Sequence, residues 1–253
     1  MTVRQLLNHT GGVPEYEDLD FLLSVLADPT RQYSPAQLLA RIDGQPLLFE
    51  PGTAAQYANT NFLLLGLIVE RVTGNRLEAE LTRRILKPLR LSDTSFEVDR
   101  SFPAPRVHGY TALLPPTALA DVTRVNPSWA WASGNLVSSG SDVTTFLQAL
   151  MTGEVVRQPQ LDQMRVVDAV AADETGPSFA LGLEKQPFSC DNYGKNGSMP
   201  GYGITAQSTS DGTRQALWAM NSVDWLLQPE TFGPLFLELR AALGEVLCGS
   251  SPN

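Results

Sequence analysis

Two short stretches carry residue types suited to acyl-transfer chemistry. One is QYANTNF, which places Tyr57 two residues before Asn59 and just ahead of an apolar run. The other is YGKNGSMPGYG, which sets Lys195, Asn196, Gly197 and Ser198 in a row. Acyl transfer needs an activated nucleophile, N–H groups that stabilise an oxyanion, and a proton for the leaving nitrogen. A phenol titrates near 10, so a tyrosine base at pH 7 must be stabilised in its ionised form by roughly 4 kcal/mol. A lysine ammonium at about 4 Å supplies roughly 4 kcal/mol at an effective dielectric of about 20. Desolvation of the phenol pushes the other way. Each stretch also has a plain reading. A Tyr-x-Asn can be an aromatic packed at a helix start with Asn as N-cap, and a Lys-x-Gly can be ordinary strand.

Other chemical devices are absent from the sequence. It contains no GxSxG elbow and no GxxxxGK[ST] phosphate loop. A Ser-His-Asp triad would have to use His9, in a polar helix stop, or His108, in a proline-rich stretch, and both read as local hydrogen-bonding residues. Cys190 and Cys248 lie far apart and have no CxxC or CxxH neighbours, so no metal site is expected. Two cysteines read as buried thiols in an intracellular protein and as a disulfide in an exported one. A formal net charge of −9 argues against nucleic acid as a partner. No apolar run reaches transmembrane length.

The elements that must position these residues can be read along the chain. At 253 residues with 43% apolar content, the chain can bury one large core or two interleaved lobes. Thr2 can cap a short helix that the run Asn8 to Gly12 stops, and Ser34-Pro35 opens another through Ile42. A helix from about Thr60 to Thr73 carries apolar residues on nearly all sides, which predicts deep burial, and Gly74 ends it. A further helix is predicted from Leu77 to Leu86, before Pro88. Phe96 to Trp131 reads as irregular with short strands, followed by helices over Asp142 to Met151 and Gln160 to Val167. SFALGLEKQ, NYGKNGS, GITAQSTS and RQALWAMNS then read as strands, with Asp211-Gly212 as a hairpin turn. An amphipathic helix from Glu230 to Leu247 closes the chain. Helices in the middle and an antiparallel meander at the end define an α+β class.

Taken in order, TVRQLLNHTGG, EPGTAAQYANTNFLLLGLIVERVTG, WASGNLVSSGSDVTTFLQALMTG and YGKNGSMPGYG resemble the penicillin-recognising serine hydrolases. These are the class C β-lactamases and, more closely, the secreted D-alanyl-D-alanine carboxypeptidases of actinobacterial type. The likeness runs along essentially the whole chain and extends to the cysteine-bearing stretches FSCDNYGKNG and EVLCG. It implies a β-lactamase/transpeptidase-like domain over residues 1–253, with a mostly helical lobe over 1–170 and an antiparallel sheet with a C-terminal helix over 171–253. It implies a Cys190–Cys248 disulfide, which on the loop-entropy account would stabilise the fold by roughly 4 kcal/mol.

The resemblance also implies roles. Tyr57 matches the general acid/base tyrosine, and Asn59 the side-chain amide that contacts the substrate's amide. Lys195 matches the first residue of the Lys/His-Thr-Gly strand motif and Gly197 its last. Asn196 departs from the motif's middle residue, which bears on carboxylate recognition. The backbone N–H of Ser198 matches one half of the oxyanion hole. Trp129, in SWAWASG, falls where the carboxypeptidases place an aromatic near the cleft, with plain core packing as its other reading. The family normally sets two cations around its tyrosine. No cofactor is implied. The implied partner is a small-molecule or D-alanyl peptide substrate, with a monomer in a secreted or cell-envelope location.

The family's nucleophile lies in a Ser-x-x-Lys motif at the start of a central helix, a few tens of residues ahead of the phrase matched by TVRQLLNHT. No serine in this sequence has Lys three residues later. Ser133-Gly134-Asn135 imitates another motif of the superfamily but sits in the wrong phrase. The expectation is a chain that keeps the base, the amide contact, the strand and half an oxyanion hole. It would lack the nucleophile helix, the first two strands, the second lysine and the other oxyanion N–H. One sheet edge and one groove wall would then expose apolar surface. Three readings compete: an N-terminally truncated serine acyl-transferase, inactive alone; a degenerate, non-catalytic paralogue that binds a peptide or protein; and a rearranged hydrolase using another serine. Peptidase, β-lactamase and esterase all remain open, because substrate choice sits in loops.

Overall fold

The structure, a computed structural model, describes residues 1–96, 107–112, 119–173, 176–222 and 229–249. Part of the stretch predicted as irregular from Phe96 to Trp131 lies outside the described residues.

Local capping chemistry starts the helices. Thr2 and Gln5 form a reciprocal capping box on α1 (Val3–Leu7). Asp18 accepts the backbone N–H of Phe21 at the head of α2 (Leu19–Ala27). Ser34, followed by proline, caps α3 (Pro35–Leu39). Helix α4 (Asn59–Thr73) ends on Gly74 at φ 71°, a left-handed cap that favours glycine. The next helix departs from the sequence reading. Instead of one helix stopping before Pro88, α5 (Leu77–Leu81) passes through a π-turn (Thr82–Leu86) into α6 (Lys87–Leu89), which contains Pro88. Proline is tolerated there because it falls in the first turn of its segment.

Two small antiparallel pairs follow: β1 (Ser95–Phe96) with β4 (Leu136–Val137), and β2 (Tyr110–Thr111) with β3 (Ala120–Asp121). Between them lies α7 (Trp131–Gly134), and α8 (Gly140–Met151) and α9 (Gln158–Met164) come after. Tyr16, Phe21, Leu38, Leu63, Trp129 and Trp131 form the main core of the helical part. Helix α4 is less buried than its apolar pattern predicts. Helices α1, α3, α5 and α7 pack against it. They bury Leu63 and Gly66 but leave Val72 79% exposed and Ile68 36% exposed.

The main sheet has five antiparallel strands in sequence order: β5 (Ser178–Phe179), β6 (Glu184–Lys185), β7 (Asn192–Met199), β8 (Tyr202–Thr209) and β9 (Gln215–Met220). Register puts Lys195, Ala206 and Leu217 on one face, and Gly194, Gln207 and Ala216 on the other. Helix α8 lies against the first face, where Gly140 approaches Leu217. Helix α10 (Pro229–Cys248) covers the second, with Leu243 and Leu247 on Ala216 and Trp218. The fold is α+β with an antiparallel sheet flanked by helices, as the sequence predicts. Strand β6 pairs with β7 only at Glu184 and Gly194. Among the described residues, β7 from Lys195 to Met199 therefore has a partner on the β8 side alone.

Cys190 and Cys248 are disulfide-bonded, with Cα atoms 5.4 Å apart and a sequence separation of 58. The bond joins the entry to β7 with the end of α10. No helix of the described residues is long and apolar enough to cross a membrane.

Candidate functional site

The site is assembled around the backbone on either side of Tyr57. His9 follows α1 in a left-handed conformation, φ 59°, unusual for a non-glycine residue. Its carbonyl accepts the N–H of Gln56 at 3.0 Å, and its Nδ1 accepts the N–H of Ala58 at 3.3 Å. Asn61 Nδ2 lies 3.1 Å from the same Nδ1. Accepting at Nδ1 places the ring proton on Nε2. The imidazole also packs at a tilt against the rings of Tyr57 and Phe179, with centroid separations of 4.4 and 4.9 Å. Burial, and secondarily the Lys195 ammonium, pull its pKa down to about 3, so His9 is a neutral bracket. Gly12 makes this turn possible: at φ 72° a Cβ would lie 2.4 Å from the Phe49 carbonyl oxygen.

Asn59 is not the N-cap that its plain reading suggests. Ala58 occupies that position without a side-chain bond, and the Asn59 N–H is taken by Glu15 Oε2 at 2.6 Å. The Asn59 side chain is thereby free for other work. Its Oδ1 accepts from the Tyr57 hydroxyl at 3.0 Å, and its Nδ2 donates to Glu17 Oε2 at 3.0 Å. Glu15 Oε1 in turn accepts the N–H of Glu17 at 2.9 Å. Loss of water raises the Glu15 carboxyl. The same burial, with the Glu15 charge added, pushes Glu17 up to about 8. Tyr16, between them, ties this segment to α4 through the Thr60 hydroxyl at 3.0 Å.

Lys195 reaches Tyr57 from the sheet. Its Nζ lies over the phenol ring, 4.9 Å from the centroid. The expectation that it depresses the phenol's pKa is not met in this structure. Lys195 Nζ is paired with Glu184 Oε1 and bonds Asn196 Oδ1 at 3.1 Å. Burial pushes the Tyr57 phenol above its ordinary 10.0, and the Glu184, Glu15 and Glu17 carboxylates push it further. Tyr57 is therefore a protonated donor here. It remains reachable, with 39% of its surface exposed.

The structure thus brings Tyr57, Asn59, Lys195 and Asn196 into one bonded group at the open edge of β7. Gly197 and Ser198 follow on the same strand, both exposed. Trp129 is not with them. It is 1% exposed within the helical core, and its carbonyl accepts the Tyr16 hydroxyl at 2.8 Å. Its packing reading is the one this structure supports. Ser133 is likewise engaged in the core, donating to the Ala130 carbonyl at 2.5 Å. His108, exposed and just ahead of β2, contacts Asp121 Oδ2 at 2.8 Å. Sequence reasoning missed Glu15, Glu17 and Glu184 as parts of the site. The one available signal was Glu184 itself, a carboxylate inside an otherwise strand-like run. Among the described residues, no three His, Cys, Asp or Glu side chains are grouped to hold a metal ion.

An antiparallel sheet between helices, with Lys-x-Gly on the half of its middle strand that is unpaired on one side among the described residues and Tyr-x-Asn at the head of a helix, defines a penicillin-recognising serine-hydrolase fold. The family profile named Beta-lactamase matches residues 1–226, and the chain belongs to that family. The structure of a D-stereospecific amidohydrolase from Streptomyces sp. is similar over 99% of this chain and 73% of that one, with a TM-score of 0.85 and 31% identity. A D-amino acid amidase from Ochrobactrum anthropi SV3, complexed with L-phenylalanine, is similar over 96% of this chain and 72% of that one, with a TM-score of 0.76 and 25% identity. In sequence, a protein of Escherichia coli strain K12, named provisionally as a D-alanyl-D-alanine carboxypeptidase, is 33% identical over 96 residues. That match covers 38% of this chain and 22% of the relative, so the chain spans about a fifth of that relative's length.

Proposed function

We propose that these residues form the acid/base half of a serine acyl-transfer site for D-aminoacyl amides and peptides, working through a serine ester. The observation that carries this reading is the Tyr57–Asn59 hydrogen bond with the Lys195 ammonium over the same phenol ring, on the strand that goes on to the exposed Gly197 and Ser198. The names of the similar amidohydrolase and amidase support the D-aminoacyl class. In this reading Tyr57, ionised once a second cation faces it, takes the proton of a serine hydroxyl as the serine oxygen bonds to the substrate carbonyl carbon, and the backbone N–H of Ser198 donates to the oxyanion. The C–N bond then breaks as the Tyr57 hydroxyl gives its proton to the leaving nitrogen, and water later hydrolyses the ester. The sequence has no Ser-x-x-Lys, so the nucleophile and a second cation come from a further segment of the protein. That second cation is what would pull Tyr57 below its present state. The disulfide supports an exported location, since such bonds persist in oxidising compartments.

Two measurements test the reading. Residues 1–253 are treated with a fluorescent penicillin and examined by mass spectrometry, and the gene is read upstream of codon 1. No covalent adduct together with an in-frame Ser-x-x-Lys upstream is the expected result. An adduct on the folded chain, or a stop codon directly upstream, would sink it.

A further inference from the structure

We propose that Glu184 determines specificity at this site: by pairing with Lys195 it removes the charge that a substrate carboxylate would need, so the cleft takes substrates whose leaving group is neutral. This inference rests on the acyl-transfer reading above and names its substrate class.

Lys195 is, among the described residues, the cation in contact with Tyr57. Its ammonium has three N–H donors. One goes to Glu184 Oε1 and one to Asn196 Oδ1 at 3.1 Å. The Glu184 side chain is only 3% exposed, and its Oε2 has no hydrogen-bond partner among the described residues. Glu184 therefore has little besides Lys195 to compensate its charge. A substrate carboxylate that drew Lys195 away would leave a buried, unpaired carboxylate behind, which is strongly disfavoured. Lys185, the neighbouring cation on β6, is likewise engaged, with Asp191 at 2.6 Å.

The opposite wall adds to the discrimination. Glu15 and Glu17 both bond Asn59, the residue that holds the Tyr57 hydroxyl. Among the described residues, an incoming carboxylate meets one compensated ion pair and further carboxyl groups. A neutral amide meets no such conflict. The third N–H of Lys195 can still meet a carbonyl oxygen without disturbing Glu184. Discrimination arises from the charge left unpaired by the wrong substrate rather than from an added contact to the right one.

The test uses two probes that differ only at the C-terminus, N-acetyl-D-alanyl-D-alanine and its C-terminal amide. Binding to the full chain is followed by ¹⁵N–¹H NMR at the Tyr57, Asn59, Lys195 and Gly197 backbone amides. The neutral amide is expected to bind the wild-type chain at least about tenfold more tightly than the carboxylate. Glu184→Gln should close that gap by strengthening carboxylate binding. The double variant Glu184→Gln/Lys195→Gln should lose the gain, which shows that it acts through the lysine charge. Equal binding of both probes to the wild type overturns the inference, as does a Glu184→Gln chain with an unchanged ratio. If Glu184→Gln does not fold, the wild-type ratio decides. If the amide binds but the ratio fails, only the role of Glu184 falls. If neither probe binds either chain, the acyl-transfer reading falls and this inference with it.

Discussion

The Lys195 ammonium stands 4.9 Å from the centre of the Tyr57 ring, yet it is committed to Glu184 and does not hold the phenol ionised. Proximity of a lysine to a tyrosine is therefore insufficient for a base. The whole surroundings count, and here burial first, with the Glu184, Glu15 and Glu17 carboxylates added, keeps the phenol protonated.

This has a direct spectroscopic consequence. The difference in phenolate absorbance near 295 nm between the wild type and Tyr57→Phe isolates the titration of Tyr57. Its midpoint is expected above the ordinary 10.0. A midpoint below that value would mean that Lys195 prevails over Glu184. The same titration in Glu184→Gln should move downward, because one of the opposing charges is gone.

The Glu17 carboxyl gives a second prediction, on stability. Burial raises it from 4.5 to about 8. Between those values the folded chain keeps a proton that the unfolded chain has released. The unfolded state then binds fewer protons, so stability falls as pH rises through about 4.5 to 8. Glu17→Gln removes this cost. The variant should melt above the wild type at pH 8 and show no such advantage near pH 4.5. His9 contributes in the opposite sense, since its lowered pKa makes stability rise with pH between about 3 and 6.5. That contribution is common to both proteins and cancels in the comparison. An equal gain at both pH values would refute the assignment.

Gly66 offers a packing test. In a helix interior, glycine to alanine ordinarily stabilises by about 1 kcal/mol. Here a Cβ would lie 2.6 Å from Ala132 Cβ and 2.8 Å from Trp131 Cζ3, both on α7. Overpacking of that kind costs about 1–3 kcal/mol. Gly66→Ala should therefore lower the unfolding free energy by up to about 2 kcal/mol once the propensity gain is set against it, and the urea midpoint with it. A raised midpoint would show that α7 yields without cost.

How much of this could be read from the sequence depended on the range of the interaction. The caps at Thr2 and Ser34, the stop at Gly74 and the turn at Asp211-Gly212 are local, and residue types declare them. Tyr57, Asn59 and Lys195 were legible through their phrases. The fate of Lys195 was not, because its partner Glu184 is brought in by β6–β7 pairing eleven residues away. Asn59 looked like a cap because Asn favours that position. Glu15, 44 residues earlier, satisfies the helix end instead. Trp129 carried two readings that differ only in which way a buried aromatic faces, and nothing local decides that. Helix α4 looked fully buried because its pattern reports what should be covered, not which elements are present to cover it.

The disulfide supplies the last prediction. Cys190 and Cys248 close a loop with a separation of 58 residues. On the loop-entropy account such a cross-link stabilises by roughly 4 kcal/mol, mainly by restricting the unfolded chain. Here it also fastens α10, whose Leu243 and Leu247 cover Ala216 and Trp218 on the outer face of the sheet. Replacing both cysteines together avoids a lone reactive thiol. Cys190→Ser/Cys248→Ser should lose roughly 4 kcal/mol in urea unfolding, and reduction of the wild type should reproduce most of that loss. Hydrogen exchange should accelerate first in the last turns of α10, while the β7–β8 pairing stays protected. An unchanged unfolding midpoint would mean that Leu243 and Leu247 alone hold the helix down.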